Sequence, residues 1–180
     1  MADKPLRALM VAIGLAGLLS ACDEATPRVV EMYVDNNGTM RYLPEAAQKG
    51  PILVQLLPRA IASASGYENI TLDLMNEAAN QRTKNIFTAN PGEAKSPVRV
   101  IHMMGAGSGV SGSSLCGGAT PEGVRGEKEL KIVSVLCQGD RRLAEMHGWV
   151  RVETAAQDEE FRLVMLDLTN GLFKRPETER

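Results

Sequence analysis

Apolar and polar residues alternate along several stretches in the second half of the chain. Alternation with a period of two is typical of strands that bury one face. It predicts four strands, namely Val98–Met104, Leu130–Cys137, Arg142–Val152 and Glu159–Leu168. Strands that follow one another along a chain favour an antiparallel meander.

The first half of the chain opens with another strand pattern, at Val29–Val34. The turn residues Asp35–Gly38 follow it and end in Asn-Gly, which is a strong signal for a hairpin. The returning strand is predicted at Thr39–Leu43.

Apolar residues then change to helical spacing. Between Ile52 and Ala64 they form one face at a period of about 3.6 residues, with Pro58 in the middle. Because proline disrupts a helix interior, this predicts a kinked helix or two short ones. Asp73–Ile86 carries a second helical face. The intervening Tyr67–Leu72 fits either a strand or the start of that helix.

Helices followed by strands predict an α+β fold. We expect an antiparallel sheet of about four to five strands, packed by one or two helices, after an N-terminal signal helix. The chain has 180 residues, which suits one domain. We place that domain at residues 28–175, followed by a tail at 176–180.

The N-terminal segment has a different pattern. Lys4 and Arg7 precede an uncharged apolar run, Ala8–Leu19, and small residues lead to Cys22. This is the layout of a secretory signal. The run has about 12 residues, whereas a membrane-spanning helix needs about 20. The end, Leu19–Cys22, resembles the lipobox of bacterial lipoproteins.

The lipobox resemblance implies that residues 1–21 are a signal peptide and that Cys22 is lipidated. Residues 22–27 are then a lipidated N-terminus and linker, and the lipid binds the protein to a membrane, facing the periplasm. In enteric bacteria an aspartate after that cysteine resembles an inner-membrane retention signal, so Asp23 slightly favours the inner membrane. For the lipidation of Cys22, the alternative is a plain secretory signal that is cut after Ala21. For the retention signal at Asp23, the alternative is an ordinary solvated linker.

Export changes the interpretation of the other two cysteines, Cys116 and Cys137. An oxidising compartment favours a disulfide between them. Closing a loop of about 21 residues stabilises a fold by about 3 kcal/mol in the chain-entropy model. The alternatives are free thiols or a metal site with His102 and His147, although the spacings typical of zinc ligands are absent. We predict the disulfide and no metal.

The stretch Gly105–Ser114 is rich in glycine and serine and follows a predicted strand. It lacks the lysine of a phosphate-binding P-loop and the glycine spacing of a dinucleotide-binding turn. We therefore interpret it as a loop that is flexible or gates a ligand, and we predict no cofactor. The net charge of −2 gives no basic patch for nucleic acid.

Catalytic patterns are also missing. No G-x-S-x-G nucleophile motif occurs. His102 and His147 could in principle serve Ser111 or Ser113, but histidines on strands are usually packed or solvated. We predict no catalytic residues.

Two short segments resemble a known group of proteins. The pattern of Gly66–Ile70 is that of a helix end followed by an aromatic residue and a strand. The pattern of Leu166–Phe173 is that of an aliphatic strand that ends in a turn. Both are similar to segments of small α+β envelope lipoproteins, such as the curli-secretion lipoprotein and the activators of penicillin-binding proteins. This resemblance implies protein binding or assembly, without enzymatic activity.

The sequence therefore predicts a non-enzymatic, lipid-anchored periplasmic lipoprotein that binds an envelope protein partner or supports an envelope assembly. One alternative is a module that binds a small ligand or lipid, with the glycine-rich loop as its lid. Another is an envelope hydrolase.

Overall fold

The computed structural model describes residues 27–35, 42–58, 66–79, 86–124, 128–151 and 159–173. Six strands and four helices lie within these ranges. The strands are β1 (Arg28–Val34), β2 (Ile52–Leu57), β3 (Phe87–Thr88), β4 (Val98–Met104), β5 (Glu129–Gln138) and β6 (Arg141–Arg151). The helices are α1 (Leu43–Ala46), α2 (Tyr67–Ala78), α3 (Gly112–Cys116) and α4 (Glu159–Leu172).

The strands form one sheet in the order β1-β6-β5-β4-β2-β3. β1, β6, β5 and β4 pair antiparallel, whereas β2 pairs parallel with both β4 and β3. The predicted α+β class is confirmed, but the predicted antiparallel sheet of about four to five strands is wrong. The chain leaves β2, crosses through α2 and returns as β3, and such crossovers produce parallel neighbours.

One face of the sheet packs against α2 and α4, and we call it the helix face. It holds the main apolar core, which includes Ile52, Val100, Met104, Ile132 and Phe161. Helix α4 lies close to β6 because Gly148 has no side chain. A Cβ atom there would come within 2.8 Å of Val164 Cγ1.

The opposite face is covered in its centre by α3, and we call it the disulfide face. A smaller core lies there, formed by Ile101, Met103, Leu115, Val133 and Val135 with the two cysteines and Ala106. The sheet is therefore buried on both faces at its centre, which accounts for the long buried runs in β4, β5 and β6.

Four of the predicted strands are confirmed, as β1, β4, β5 and β6. The predicted hairpin after β1 was not found in the described residues. Residues 36–41 lie outside them, Leu43 begins α1, and the partner of β1 is β6.

The predicted helix starting at Ile52 is wrong, because Ile52–Leu57 is strand β2. Its side chains alternate between fully buried and half-buried positions. Both faces of the strand carry apolar residues, as is usual for a strand with parallel neighbours. The resulting apolar pairs also match helical spacing, so periodicity alone could not separate the two structures.

The predicted fourth strand, Glu159–Leu168, is also wrong, because this segment belongs to helix α4. The buried residues follow helical spacing: Phe161, Val164, Met165, Leu168 and Leu172. Leu163 is apolar although it is 49% exposed. With it, the apolar and polar residues of this segment also matched the period of two that is typical of a strand.

Tyr67–Leu72, for which strand and helix were both open, is helical. Gly66, expected to end a helix, precedes α2 with a left-handed φ of 67°. The two segments that carried the resemblance to small α+β envelope lipoproteins therefore have a different secondary structure from the one expected.

Candidate functional site

The predicted disulfide is present and joins α3 to β5. Cys116 is the last residue of α3, and its Cα atom lies 5.5 Å from that of Cys137. Both residues are fully buried. The bond holds α3 on the disulfide face, so neither sulfur is a free thiol or a metal ligand here. In the part of the chain that the structure describes, no group of three or more His, Cys, Asp and Glu side chains could hold a metal ion.

The glycine- and serine-rich stretch ends in α3 instead of continuing as a loop. Ser111 and Ser114 form a capping box, in which the Ser114 amide donates to Ser111 Oγ at 3.2 Å. The next residue, Gly112, touches β6. A Cβ atom on Gly112 would lie 2.5 Å from Glu145 Oε2 and 2.9 Å from Arg142 Cδ. Glycine therefore allows the start of α3 to sit directly on the sheet.

Glu145 is the centre of a buried polar cluster on the disulfide face. It is 3% exposed, and its carboxylate accepts hydrogen bonds from His147 Nε2 at 2.8 Å, from Arg142 Nη1 and from the Gly112 amide. Burial alone would raise the pKa of Glu145. The hydrogen bonds from His147 and Arg142 and the charge of Arg142 outweigh it and lower the pKa to about 2. Glu145 is therefore ionised at neutral pH.

His102 lies on the helix face and is fully buried. Its Nδ1 is 2.7 Å from Ser134 Oγ, and its Nε2 is 3.3 Å from Met75 Sδ. Burial lowers the pKa of His102 to about 4, so the ring is neutral at pH 7. It is a core histidine whose polar atoms have partners inside the protein.

Within the described residues, no hydrogen bond joins His102 or His147 to Ser111 or Ser113. Ser111 belongs to the cap of α3 on the disulfide face, whereas His102 contacts α2 on the other side of the sheet. His147 directs Nε2 to Glu145.

An aromatic and cationic surface lies beside the Glu145 cluster, near the edge strand β1. Trp149 is half-buried, with the Arg28 guanidinium 4.4 Å and the Lys131 ammonium 5.9 Å from its ring centroid. Arg28 also binds Glu129 through two hydrogen bonds of 2.6 and 3.1 Å. The Arg142 guanidinium lies 3.9 Å from the ring centroid of Tyr33 on β1. These contacts fix β1 on β6.

Strand β1 forms one edge of the sheet and carries most of the exposed large apolar side chains. Of five in the described residues, three lie on β1: Val30 (42% exposed), Met32 (53%) and Tyr33 (37%). The register shifts between Glu31 and Tyr33. Apolar side chains beside unpaired main-chain groups are typical of a surface that binds another chain.

The other edge of the sheet borders an open groove of about 650 Å³. Strand β2 forms one side of this groove, which we call the β2 groove, and the end of α3 and the segment after it form the other. Leu57, Ile101 and Leu115 supply apolar surface, Arg99 supplies a cation, and Glu68 supplies an anion. The segment that follows the predicted loop thus lines a concave surface.

Glu145, Trp149 and Arg99 were not predicted from the sequence as site residues. For Glu145 a signal existed. It stands within an otherwise apolar run of β6, three residues after Arg142 and two residues before His147. Residues two apart on a strand share a face, so a charged cluster could have been predicted there. For Arg99 no local signal existed, because the groove is formed by segments far apart in sequence.

The predicted lipidation site Cys22 and the neighbouring Asp23 lie outside the described residues. None of the helices described here combines the length and apolar character that crossing a membrane requires.

Comparison with known proteins gives little further information. No protein-family model matches the chain, and neither does any curated protein. Among solved structures, it is similar to the PelC dodecamer from Paraburkholderia phytofirmans in space group P6 and to a single-residue variant of it in space group C2. Each comparison has 7% sequence identity and a TM-score of 0.42, and covers 84% of this chain and 100% of that chain. A likeness this distant carries no conclusion about this chain.

Proposed function

We propose that this chain is a lipid-anchored envelope lipoprotein whose domain binds a protein partner through the edge strand β1 and has no catalytic role of its own. The observation that carries the proposal is the exposed apolar surface of β1, formed by Val30, Met32 and Tyr33. A partner strand could pair with the outer edge of β1, where no strand of the described residues pairs, and cover these side chains.

If Cys22 is lipidated, as the lipobox resemblance implies, the exposed surface of β1 lies near a membrane. From Cys22 to Arg28 the chain spans six residues, which reach at most about 20 Å when fully extended. A lipid on Cys22 would therefore keep β1 close to the membrane surface. A membrane-attached partner would meet this edge of the sheet first.

Lipid attachment is tested by mass spectrometry of the mature N-terminus and by membrane fractionation. We expect a lipidated Cys22 in the membrane fraction. The Cys22→Ser variant should lose both the lipid and membrane attachment. An unmodified Cys22 in the native protein would overturn the lipoprotein assignment.

Partner binding is tested by photocrosslinking in intact cells from position 32, with Leu163 as the control position. Leu163 is similarly exposed, at 49% against 53% for Met32, but lies on α4. We expect a discrete adduct with another protein from position 32 and none from position 163. Equal crosslinking from both positions, or none from either, would contradict the proposal.

A further inference from the structure

Met32 lies in the exposed surface of β1, between Val30 and Tyr33 along the chain. We propose that Met32 is an oxidation site at which a peroxide converts the thioether to the sulfoxide, and that the sulfoxide turns off partner binding at β1. This inference rests on the proposed function and adds a chemical control to the same surface.

Exposure separates Met32 from the other methionines. It is 53% exposed, whereas the other methionines of the described residues are at most 6% exposed. These buried methionines are Met75, Met103, Met104, Met146 and Met165. Met1, Met10 and Met40 lie outside the described residues. Because oxidation of a thioether follows its exposure, an oxidant in solution reaches Met32 first among the described methionines.

The cysteines of the described residues offer no competing thiol. Cys116 and Cys137 are joined in the buried disulfide. An exposed thiolate is the group that usually reacts first with an oxidant. Since the described residues hold none, the thioether of Met32 is the most accessible sulfur in this part of the chain.

The position of Met32 in β1 allows its chemistry to change without unfolding the domain. The register passes from Glu31, opposite Met146, to Tyr33, opposite Glu145, so Met32 is the extra residue of a bulge. Its side chain belongs to neither of the two apolar cores. A polar group on the Met32 sulfur therefore alters the outer surface of β1 and leaves the packing of the sheet as it is.

The reaction is the transfer of an oxygen atom. Hydrogen peroxide gives the oxygen to the Met32 sulfur, which is oxidised to the sulfoxide, and the peroxide is reduced to water. No bond of the chain breaks, and a methionine sulfoxide reductase can return the sulfur to the thioether. A partner that covers Val30 and Tyr33 would bury the new polar oxygen without a donor, and this costs binding free energy.

The first experiment measures the chemistry on the purified full chain, without a partner. Graded hydrogen peroxide followed by peptide mapping with mass spectrometry gives the oxidation rate of each methionine. We expect Met32 to react at least about tenfold faster than the buried methionines. The protein oxidised at Met32 should keep its thermal unfolding temperature to within about 2 °C, as expected for a change at the surface. Equal rates for all methionines, or unfolding on oxidation of Met32 alone, would overturn the proposal.

The second experiment is photocrosslinking from position 30 in intact cells, before and after peroxide treatment. Peptide mapping of the same sample gives the oxidised fraction of Met32, and we expect the adduct to be lost in proportion to it. Met32→Leu is the matched control, because leucine is also apolar and cannot form a sulfoxide, so this variant should keep the adduct after treatment. Met32→Gln places a polar acceptor at the same position and should lose most of the adduct without peroxide.

The outcomes separate this inference from the proposed function. An adduct that persists when Met32 is fully oxidised would overturn the inference alone. So would an equal loss of the adduct in Met32→Leu, because peroxide would then act at another residue. The absence of any adduct before treatment would instead contradict the proposed function, and the inference would be wrong with it.

Discussion

At the scale of single residues, two buried ionisable groups make the stability of this protein depend on pH. His102 is neutral in the folded state, with its pKa lowered to about 4, whereas an unfolded histidine titrates near 6.5. Glu145 is ionised in the folded state, with its pKa lowered to about 2 from 4.5. Both groups bind protons more readily in the unfolded chain, so acid favours unfolding in two successive ranges.

We predict that the free energy of unfolding falls by about 3 kcal/mol between pH 6.5 and pH 4 because the unfolded chain protonates His102 first. Glu145 extends the fall from pH 4.5 towards pH 2. Denaturant unfolding at a series of pH values measures this. In the His102→Gln variant, the decrease in the free energy of unfolding above pH 4.5 should be much smaller. The decrease below pH 4.5, which comes from Glu145, should be unchanged. An unchanged slope in the variant would show that His102 is not the group responsible.

Gly112 is the second prediction at this scale. The substitution Gly112→Ala places a methyl group against Glu145 and Arg142, so it should destabilise the fold by about 1–3 kcal/mol. Gly109→Ala is the matched control, because a Cβ atom there meets nothing within 4 Å. Denaturant unfolding should give a clearly lower free energy of unfolding for Gly112→Ala than for Gly109→Ala. Equal stabilities would mean that α3 does not sit directly on β6.

At the scale of elements, the sequence predicted the strands that have a clear period of two and failed where two periods fit the same residues. Strands β4, β5 and β6 were found because part of each segment still alternates between polar and apolar residues, although the sheet buries both of their faces at its centre. Ile52–Leu57 has apolar side chains on both faces of the strand, so the spacing of its apolar residues also fits a helix. In α4, the exposed apolar residue Leu163 gave a spacing that also fits a strand. The disulfide could be predicted because only two cysteines remain after Cys22. The β2 groove could not, because Arg99 meets Cys116 only through tertiary packing.

The disulfide gives a prediction for α3 as an element. Replacing Cys116 and Cys137 together by alanine should lower the free energy of unfolding by about 3 kcal/mol, since the open loop of 21 residues gains freedom in the unfolded chain. Denaturant unfolding of the oxidised protein and the double variant measures this. Retention of full stability would show that the rest of the fold alone holds α3.

At the scale of the whole molecule, the two open edges lie at opposite ends of a six-stranded sheet. Five strand spacings of about 4.8 Å separate β1 from β3 by about 24 Å. The buried centre between them is covered on both faces. A change on β1 is therefore expected to leave the other edge of the sheet undisturbed, because effects at distant sites without shared partners usually add independently.

We predict that a charge on the edge strand β1 disables partner binding. Met32→Lys places a charge on the exposed edge of β1 and should abolish crosslinking from position 30 in intact cells. It should leave the thermal unfolding temperature nearly unchanged, because Met32 is 53% exposed. An undiminished crosslink from position 30 in the folded Met32→Lys variant would show that β1 is not the edge that meets the partner.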